Sequence, residues 1–220
     1  MSALLEILFE DEWLVAVDKP AGQLVHPAEV PQVGDEVTMK ILRDQIGGWV
    51  YSVHRLDRPT SGVLLFGKDK KTARKLTKMF TRHEARTIYR AGVAGEAPGE
   101  AWHCEEALQK EEGAPWREAR TDFRVLQRGV GLAEGLRLLE AEPQSGRYHQ
   151  IRRHLAGAGL PIVGDFRYGG REWATEWGRR LGTGDRMLLQ AKELHFTHPR
   201  TGESLAVSAP LTPEMASLFP

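Results

Sequence analysis

Cysteine is nearly absent from this 220-residue sequence, where Cys104 stands alone. A single thiol closes no internal disulfide and supports no cysteine-based metal site. Its neighbours Glu105 and Glu106 offer nothing that would activate it as a thiolate. Long apolar runs are also missing, none approaching the roughly 20 residues of a membrane-spanning helix. Residues Met1 to Glu6 lack the basic and apolar regions of a secretory signal. Net charge is missing too, with 30 Lys and Arg against 30 Asp and Glu. A cytoplasmic protein is the economical expectation. No His-Glu-x-x-His spacing, Gly-x-Ser-x-Gly elbow or Gly-Lys-Ser/Thr phosphate loop occurs, which disfavours zinc, acyl-hydrolase and P-loop chemistry.

What is present is the composition of an ordinary globular chain, 41% hydrophobic and 27% charged. Its length suits one large domain or two small ones with a full core. The zero net charge hides a segregation. Residues 54–90 carry eleven Lys and Arg against three acids, 95–118 carry seven Glu against two cations, and 147–180 carry seven Arg against three acids. Two basic blocks flanking an acidic one suit either solvated helix faces or a surface that attracts nucleic acid.

Along the chain, Ile7–Phe9 and Trp13–Val17 form a hairpin pattern around 10–12, closed by the break Lys19-Pro20-Ala21-Gly22. A short strand at 23–26 and a loop at 27–34 precede a helix with Asp35 as its N-cap, which Gly47-Gly48 stops. Strand patterns follow at 49–53 and 63–66. A basic amphipathic helix covers 70–83, with Ala73, Leu76 and Phe80 on its apolar face. Further strands are expected at 86–93, 121–126 and 136–141, a short helix from 147 ending near Gly157 or Gly159, and a closing hairpin at 193–197 and 205–207. The segment 95–118 has no clear period and reads as a loop or insertion within a single domain, 1–220. Many strands and two or three helices, not alternating, indicate an α+β fold with a mixed sheet.

Asp57 is the centre of the functional reading. It lies between Arg55 and Arg58 in His54-Arg55-Leu56-Asp57-Arg58-Pro59-Thr60-Ser61-Gly62, a shaped loop between two strands. A surface turn with a self-capping Asp would look the same on spacing alone. Two other places are dense in functional side chains: Tyr89, and the cluster Arg147, His149, Gln150 and Arg152. A carboxylate beside Arg stays ionised, which suits a nucleophile better than a general acid.

The stretch HRLDRPTSGVLLFGKD resembles the catalytic motif of the RluA-type pseudouridine synthases, and SGRYHQIRRHLAGAGLPIVGDFRYG resembles their second signature. ILFEDEWLVAVDKPAG and LHFTHPRTGESLAVSAP also match, so the resemblance covers nearly the whole chain. The RPTSGVLL wording and the preceding DQIG are most similar to the tRNA pseudouridine synthase C branch. The resemblance implies a mixed, largely antiparallel β-sheet with flanking helices and a central catalytic cleft, and neither cofactor nor metal.

It also implies roles. Asp57 matches the nucleophile that attacks the target uridine at C1′ or C6. Arg55 matches the arginine that enters the helix where the base has left. Tyr89 matches the tyrosine that stacks on the flipped base and assists proton removal at C5. Arg152 matches the basic residue that pairs with the catalytic carboxylate. Ile151 would line the pocket wall, and Arg58, Arg147 and His149 join the RNA-binding set, the last two equally suited to holding the loop. The chain departs from the family at Thr87, usually Lys, at Tyr148, usually Thr, and at Gln190, usually His. The catalytic region begins almost at once, leaving no room for the RNA-binding appendage of many ribosomal-RNA members. The expectation is therefore a monomeric enzyme with RNA as its partner, tRNA ahead of rRNA, and with no membrane. The alternatives are a ribosomal-RNA or dual-specificity synthase, or a non-catalytic RNA-binding protein.

Overall fold

The computed structural model describes residues 3–27, 30 and 32–220. Part of the expected 27–34 loop, and Met1 and Ser2 of the N-terminus, lie outside the described residues. Packing divides the chain into two compact units, 1–87 with 191–210, and 88–190 with 211–220. None of the three boundaries falls in the Glu-rich segment.

In the first unit, β1 (Glu6–Glu10) and β2 (Leu14–Lys19) form the expected hairpin. The Asp11 carboxylate closes it by accepting from the backbone N–H of Trp13 at 2.7 Å and Leu14 at 2.9 Å, the local side-chain turn that Asp favours. β2 pairs antiparallel with β4 (Ser61–Gly67), every residue of which is buried. A strand buried on both faces reads as a continuous apolar run, as Val63-Leu64-Leu65-Phe66 does. The preceding strand shrinks from the expected 49–53 to β3 (Tyr51–Ser52), paired with the far end of β4. β9 (Leu189–Thr197) neighbours β4 and pairs with β10 (Ser204–Ser208).

Gly62, the last residue of the expected loop, instead lies inside β4 with φ +109°. A Cβ there would sit 2.1 Å from the carbonyl oxygen of Ala191, so the close approach of two backbones requires glycine.

The first helix, α1 (Thr38–Ile46), has Val37 rather than Asp35 at its N-cap, without a side-chain cap. Asp35 is drawn off, its carboxylate accepting from Gln32 N–H and pairing with Arg58 at 3.0 Å. The expected strand at 23–26 is reduced to a bridge between Leu24 and Val37. Helix α2 (Lys70–Thr81) forms as its periodicity demands. It is capped by Asp69, which accepts from Lys71 and Thr72 N–H and whose pKa these Thr72 bonds lower. Ala73 and Leu76 join Leu14, Val63, Leu65, Leu194 and Phe196 in the core, leaving Lys70, Lys71, Arg74, Lys75 and Lys78 exposed.

In the second unit, β5 (Arg86–Ala94) pairs with β8 (Leu136–Pro143), and β8 with β7 (Thr121–Arg128), all antiparallel. The 95–118 segment is not simply a loop. It contributes β6 (Ala101–Cys104), paired with β7, and a small hairpin closed by reciprocal backbone bonds between Leu108 and Arg117. Trp102 on β6 stacks on Phe123 of β7 at 5.1 Å, a cross-strand aromatic pair that compensates for weak local periodicity.

Helix α3 (Gln150–Gly157) buries Ile151 and Leu155 against Ala91, Val93, Phe123 and Leu139. Two further helices were not expected, α4 (Arg171–Leu181) and α5 (Pro213–Leu218). They cover a second apolar cluster that includes Leu136, Leu188, Met215 and Phe219. Trp173, Trp177 and Leu181 carried the missed signal at i, i+4 and i+8, with Gly170 before and Gly182 after. Five α-helices, rather than two or three, therefore flank the strands among the described residues.

Candidate active site

Asp57 sits, half-buried, in the loop that joins β3 to β4. Its carbonyl oxygen accepts from Thr60 N–H at 3.0 Å and closes the turn. The backbone around it is held from three sides. Lys19, fully buried at the end of β2, donates from Nζ to the carbonyls of Pro20 (2.7 Å), Gln23 (3.0 Å) and Arg58 (3.3 Å). A buried ammonium needs such acceptors, and here they bind two loops to one point.

Arg58 and Gly22 exchange a second pair of bonds. Gly22 N–H donates to the Arg58 carbonyl at 2.8 Å, and Arg58 Nε donates to the Gly22 carbonyl at 2.9 Å. With its ion pair to Asp35, the Arg58 side chain is committed to the protein. It is a loop clamp in this structure. Arg55, by contrast, is exposed and makes no hydrogen bond or ion pair among the described residues.

His54 holds the third side. Its Nε2 accepts from the backbone N–H of Leu65 at 3.0 Å, which assigns the proton to Nδ1. Its ring stacks on Phe80 of α2 at 4.3 Å. Burial pushes its pKa down to about 3, so the ring is neutral at physiological pH. The entry to the loop is thereby tied to β4 and to the basic helix.

The second signature is built differently. His149 occupies the left-handed region at φ +54°, a strained setting for a residue with a Cβ, and stands at the N-cap of α3 without a side-chain cap. Gln150 secures the turn with four bonds. Its Nε2 donates to the Arg120 carbonyl and Thr121 Oγ1, while its Oε1 accepts from Ser145 Oγ and Arg147 N–H. Arg147 Nε donates to the Glu118 carbonyl at 3.0 Å.

Arg152 is 6% exposed and meets Asp165, 1% exposed, through two parallel bonds of 2.7 and 2.8 Å. Bidentate guanidinium–carboxylate pairing is the arrangement that best tolerates burial. Asp165 also accepts from the N–H groups of Arg167 and Tyr168, folding 165–169 into a tight turn. The Tyr168 ring lies under the Arg152 guanidinium at 5.0 Å, and His149 Nδ1 and Tyr168 Oη lie 2.9 Å apart. Burial raises the Tyr168 pKa, keeping the phenol protonated. Tyr148 stacks on His149 at 3.7 Å and faces Arg167 at 5.7 Å.

Tyr89 lies on β5 opposite Ala141 and packs against the apolar cluster that holds Ile151. Ile151 is a core residue, 6% exposed. The site residues thus fall into two groups: Arg55, Asp57 and Arg58 on one loop, and Tyr89, Arg147, His149, Ile151 and Arg152 in the second unit. Lys19, Asp165 and Tyr168 went unassigned from sequence. Lys19 read only as the start of a Pro-Gly break, and Asp165 and Tyr168 as part of an irregular stretch inside a matching signature. Among the described residues no group of three or more His, Cys, Asp or Glu side chains could hold a metal ion, and no helix is long and apolar enough to cross a membrane.

Comparison with known proteins adds the following. A family model described as RNA pseudouridylate synthase matches residues 13–157. The chain is 38% identical over 229 residues to tRNA pseudouridine synthase C of Salmonella typhimurium, covering 94% of this chain and 86% of that protein. It is 39% identical to the protein of the same name from Vibrio cholerae, covering 94% and 91%. Among solved structures, human RNA Pseudouridylate Synthase Domain Containing 1 superposes with a TM-score of 0.79 at 23% identity, covering 100% of this chain and 91% of that one. At that identity the likeness is one of fold.

Proposed function

Since this chain belongs to the RNA pseudouridylate synthase family, we propose that it isomerises a particular uridine of tRNA to pseudouridine, with Asp57 as nucleophile. The tRNA substrate follows the relatives, which are named for it at 38–39% identity. The observation that carries the nucleophile is the loop around Asp57. Lys19, His54 and Arg58 hold its backbone to the 19–23 stretch and to β4, and a covalent catalyst needs that preorganisation.

In this reading the Asp57 carboxylate attacks C1′ or C6 of a uridine flipped from its helix. The C1′–N1 bond breaks, the base turns, C5 joins C1′, the bond to Asp57 breaks to return the free carboxylate, and the C5 proton is lost while N1 gains one. Nothing is added or removed overall. Tyr89 stacks on the flipped base and assists at C5, Arg152 supports the carboxylate's charge, and Arg55, exposed and without a partner among the described residues, fills the place the base left. The exposed cations of α2 meet the phosphate backbone. The enzyme works in the cytoplasm as a monomer.

Nucleotide-resolution pseudouridine mapping of tRNA and rRNA, with and without the protein, tests this. One tRNA position lost on deletion and restored by wild type but not by Asp57→Asn supports it. A lost position in rRNA would move the substrate. Restoration by Asp57→Asn would remove the nucleophile.

A further inference from the structure

The hairpin 108–117 has no part in the chemistry above, yet it walls a cavity. Leu108, Gln109, Lys110, Ala114, Pro115 and Arg117 on one side, and 146–148 on the other, enclose about 300 Å³. The whole cavity lies within the second unit. Its position is fixed by real anchors. The Gln109 carbonyl accepts from Arg153 Nη1 of α3 at 2.7 Å, and Arg147 is tied to Glu118.

The charge of the wall is opposite to that of the segment that supplies it. The lining includes Lys110, Arg117 and Arg147 and no carboxylate. Three of the segment's seven glutamates are neutralised elsewhere, Glu96 by Arg137, Glu100 by Arg128 and Glu105 by Arg120, and Glu111 and Glu112 beside Lys110 are exposed and outside the lining. The side chains of Lys110 and Arg117 make no ion pair or hydrogen bond among the described residues, and both residues are exposed. The rest of the lining is Leu108, Gln109, Ala114, Pro115, Gly146 and one aromatic ring, Tyr148, already stacked on His149. Two unpaired cations, and a third held only through Nε, around an aromatic-edged recess match an anionic ligand with a flat ring. A nucleotide has both parts.

We propose that this cavity is a second nucleotide subsite, which takes one nucleotide of the RNA other than the target uridine, its phosphate on Lys110, Arg117 and Arg147 and its base on Pro115 and the edge of Tyr148. The subsite rests on the RNA-modifying reading above. It gives the Glu-rich segment a task, anchoring the RNA at a fixed offset from the target. Tyr148, where the family usually has Thr, supplies the ring.

Two variants test it on the intact protein with a tRNA transcript. Lys110→Glu with Arg117→Glu reverses the charge, and Ala114→Trp fills the recess without touching charge. Each is expected to raise KM for the tRNA roughly tenfold or more with kcat unchanged. The charge variant should also make the salt dependence of binding shallower by about one to two in log–log slope. A 4-thiouridine-substituted tRNA should crosslink to the hairpin in wild type and not in Ala114→Trp. Unchanged KM, salt slope and crosslinking in variants that melt like wild type would overturn the subsite while leaving the enzymatic reading intact. A fall in kcat at constant KM would also overturn it. If wild type makes no pseudouridine but both variants still lose tRNA affinity, the subsite stands and the enzymatic reading fails.

Discussion

The two signature loops are stabilised in opposite ways. Around Asp57 the framework is built by neighbours, with Lys19, His54 and Arg58 gripping backbone carbonyls and amides on either side of the acid. In the second signature the signature residues are themselves the framework. Arg152 is locked to Asp165, and His149 bonds to Tyr168 while standing at a helix N-cap in a strained conformation. The first arrangement lets a side chain change without unfolding its loop. The second makes position and stability inseparable, because a buried guanidinium left without its carboxylate is costly.

The largest effect that would sharpen this contrast is on catalysis at Asp57. Asp57→Asn should lower pseudouridine formation by on the order of 10⁴-fold or more while changing unfolding free energy by less than about 1 kcal/mol. Tritium release from C5-labelled tRNA and urea melts read the two halves, and a large loss of stability would break the comparison. Next comes Asp165→Ala, which removes the buried carboxylate bonded to Arg152 and should cost about 3–5 kcal/mol in a urea titration. A near-neutral result would mean that the second signature is not held by its ion pair.

His54 gives a pH test of the first loop. Its folded pKa lies below that of the unfolded chain, so the unfolded state takes up the proton first as pH falls. The stability it contributes is complete above about pH 6.5 and is lost as pH drops toward about 3, amounting to a few kcal/mol. His54→Phe, which keeps a ring beside Phe80 but cannot titrate, should show a shallower loss over that window in pH-dependent denaturation. It should also be less stable at pH 7 by about 1–3 kcal/mol, since the Leu65 N–H loses its acceptor. The smallest effect is at Arg58. Arg58→Ala removes a half-exposed ion pair and one bond to Gly22, and should cost about 1 kcal/mol. If it instead weakened RNA binding without touching stability, Arg58 would belong with Arg55 as a contact residue rather than a clamp.

Legibility followed the range of the forces involved. β2, β4, α2 and the closing hairpin were readable because their patterns and turn chemistry are local, as with the hydroxyl-and-backbone cap of Asp69 on α2. Asp35 was misread as a cap because its competing partner, Arg58, is 23 residues away in sequence. β6 was missed because an edge strand needs only one paired face. Its stability comes from Trp102 against Phe123, a contact with no local signature. Gly62 looked like a loop residue until Ala191 was brought against it.

What the sequence determined by itself was chemistry: which carboxylate, ring and cations are available, in motifs specific enough to name a family, and which catalytic classes its missing cysteines and spacings disfavour. The tertiary structure decided employment. It spent Arg58 on holding a loop, placed Ile151 in the core, gave Arg152 the carboxylate of Asp165, and set Lys110 and Arg117 of an acidic segment in the wall of a cavity. The reason is physical. Charge and nucleophilicity belong to a side chain wherever it lies, but whether that side chain is free to use them depends on partners that only folding brings within hydrogen-bond reach.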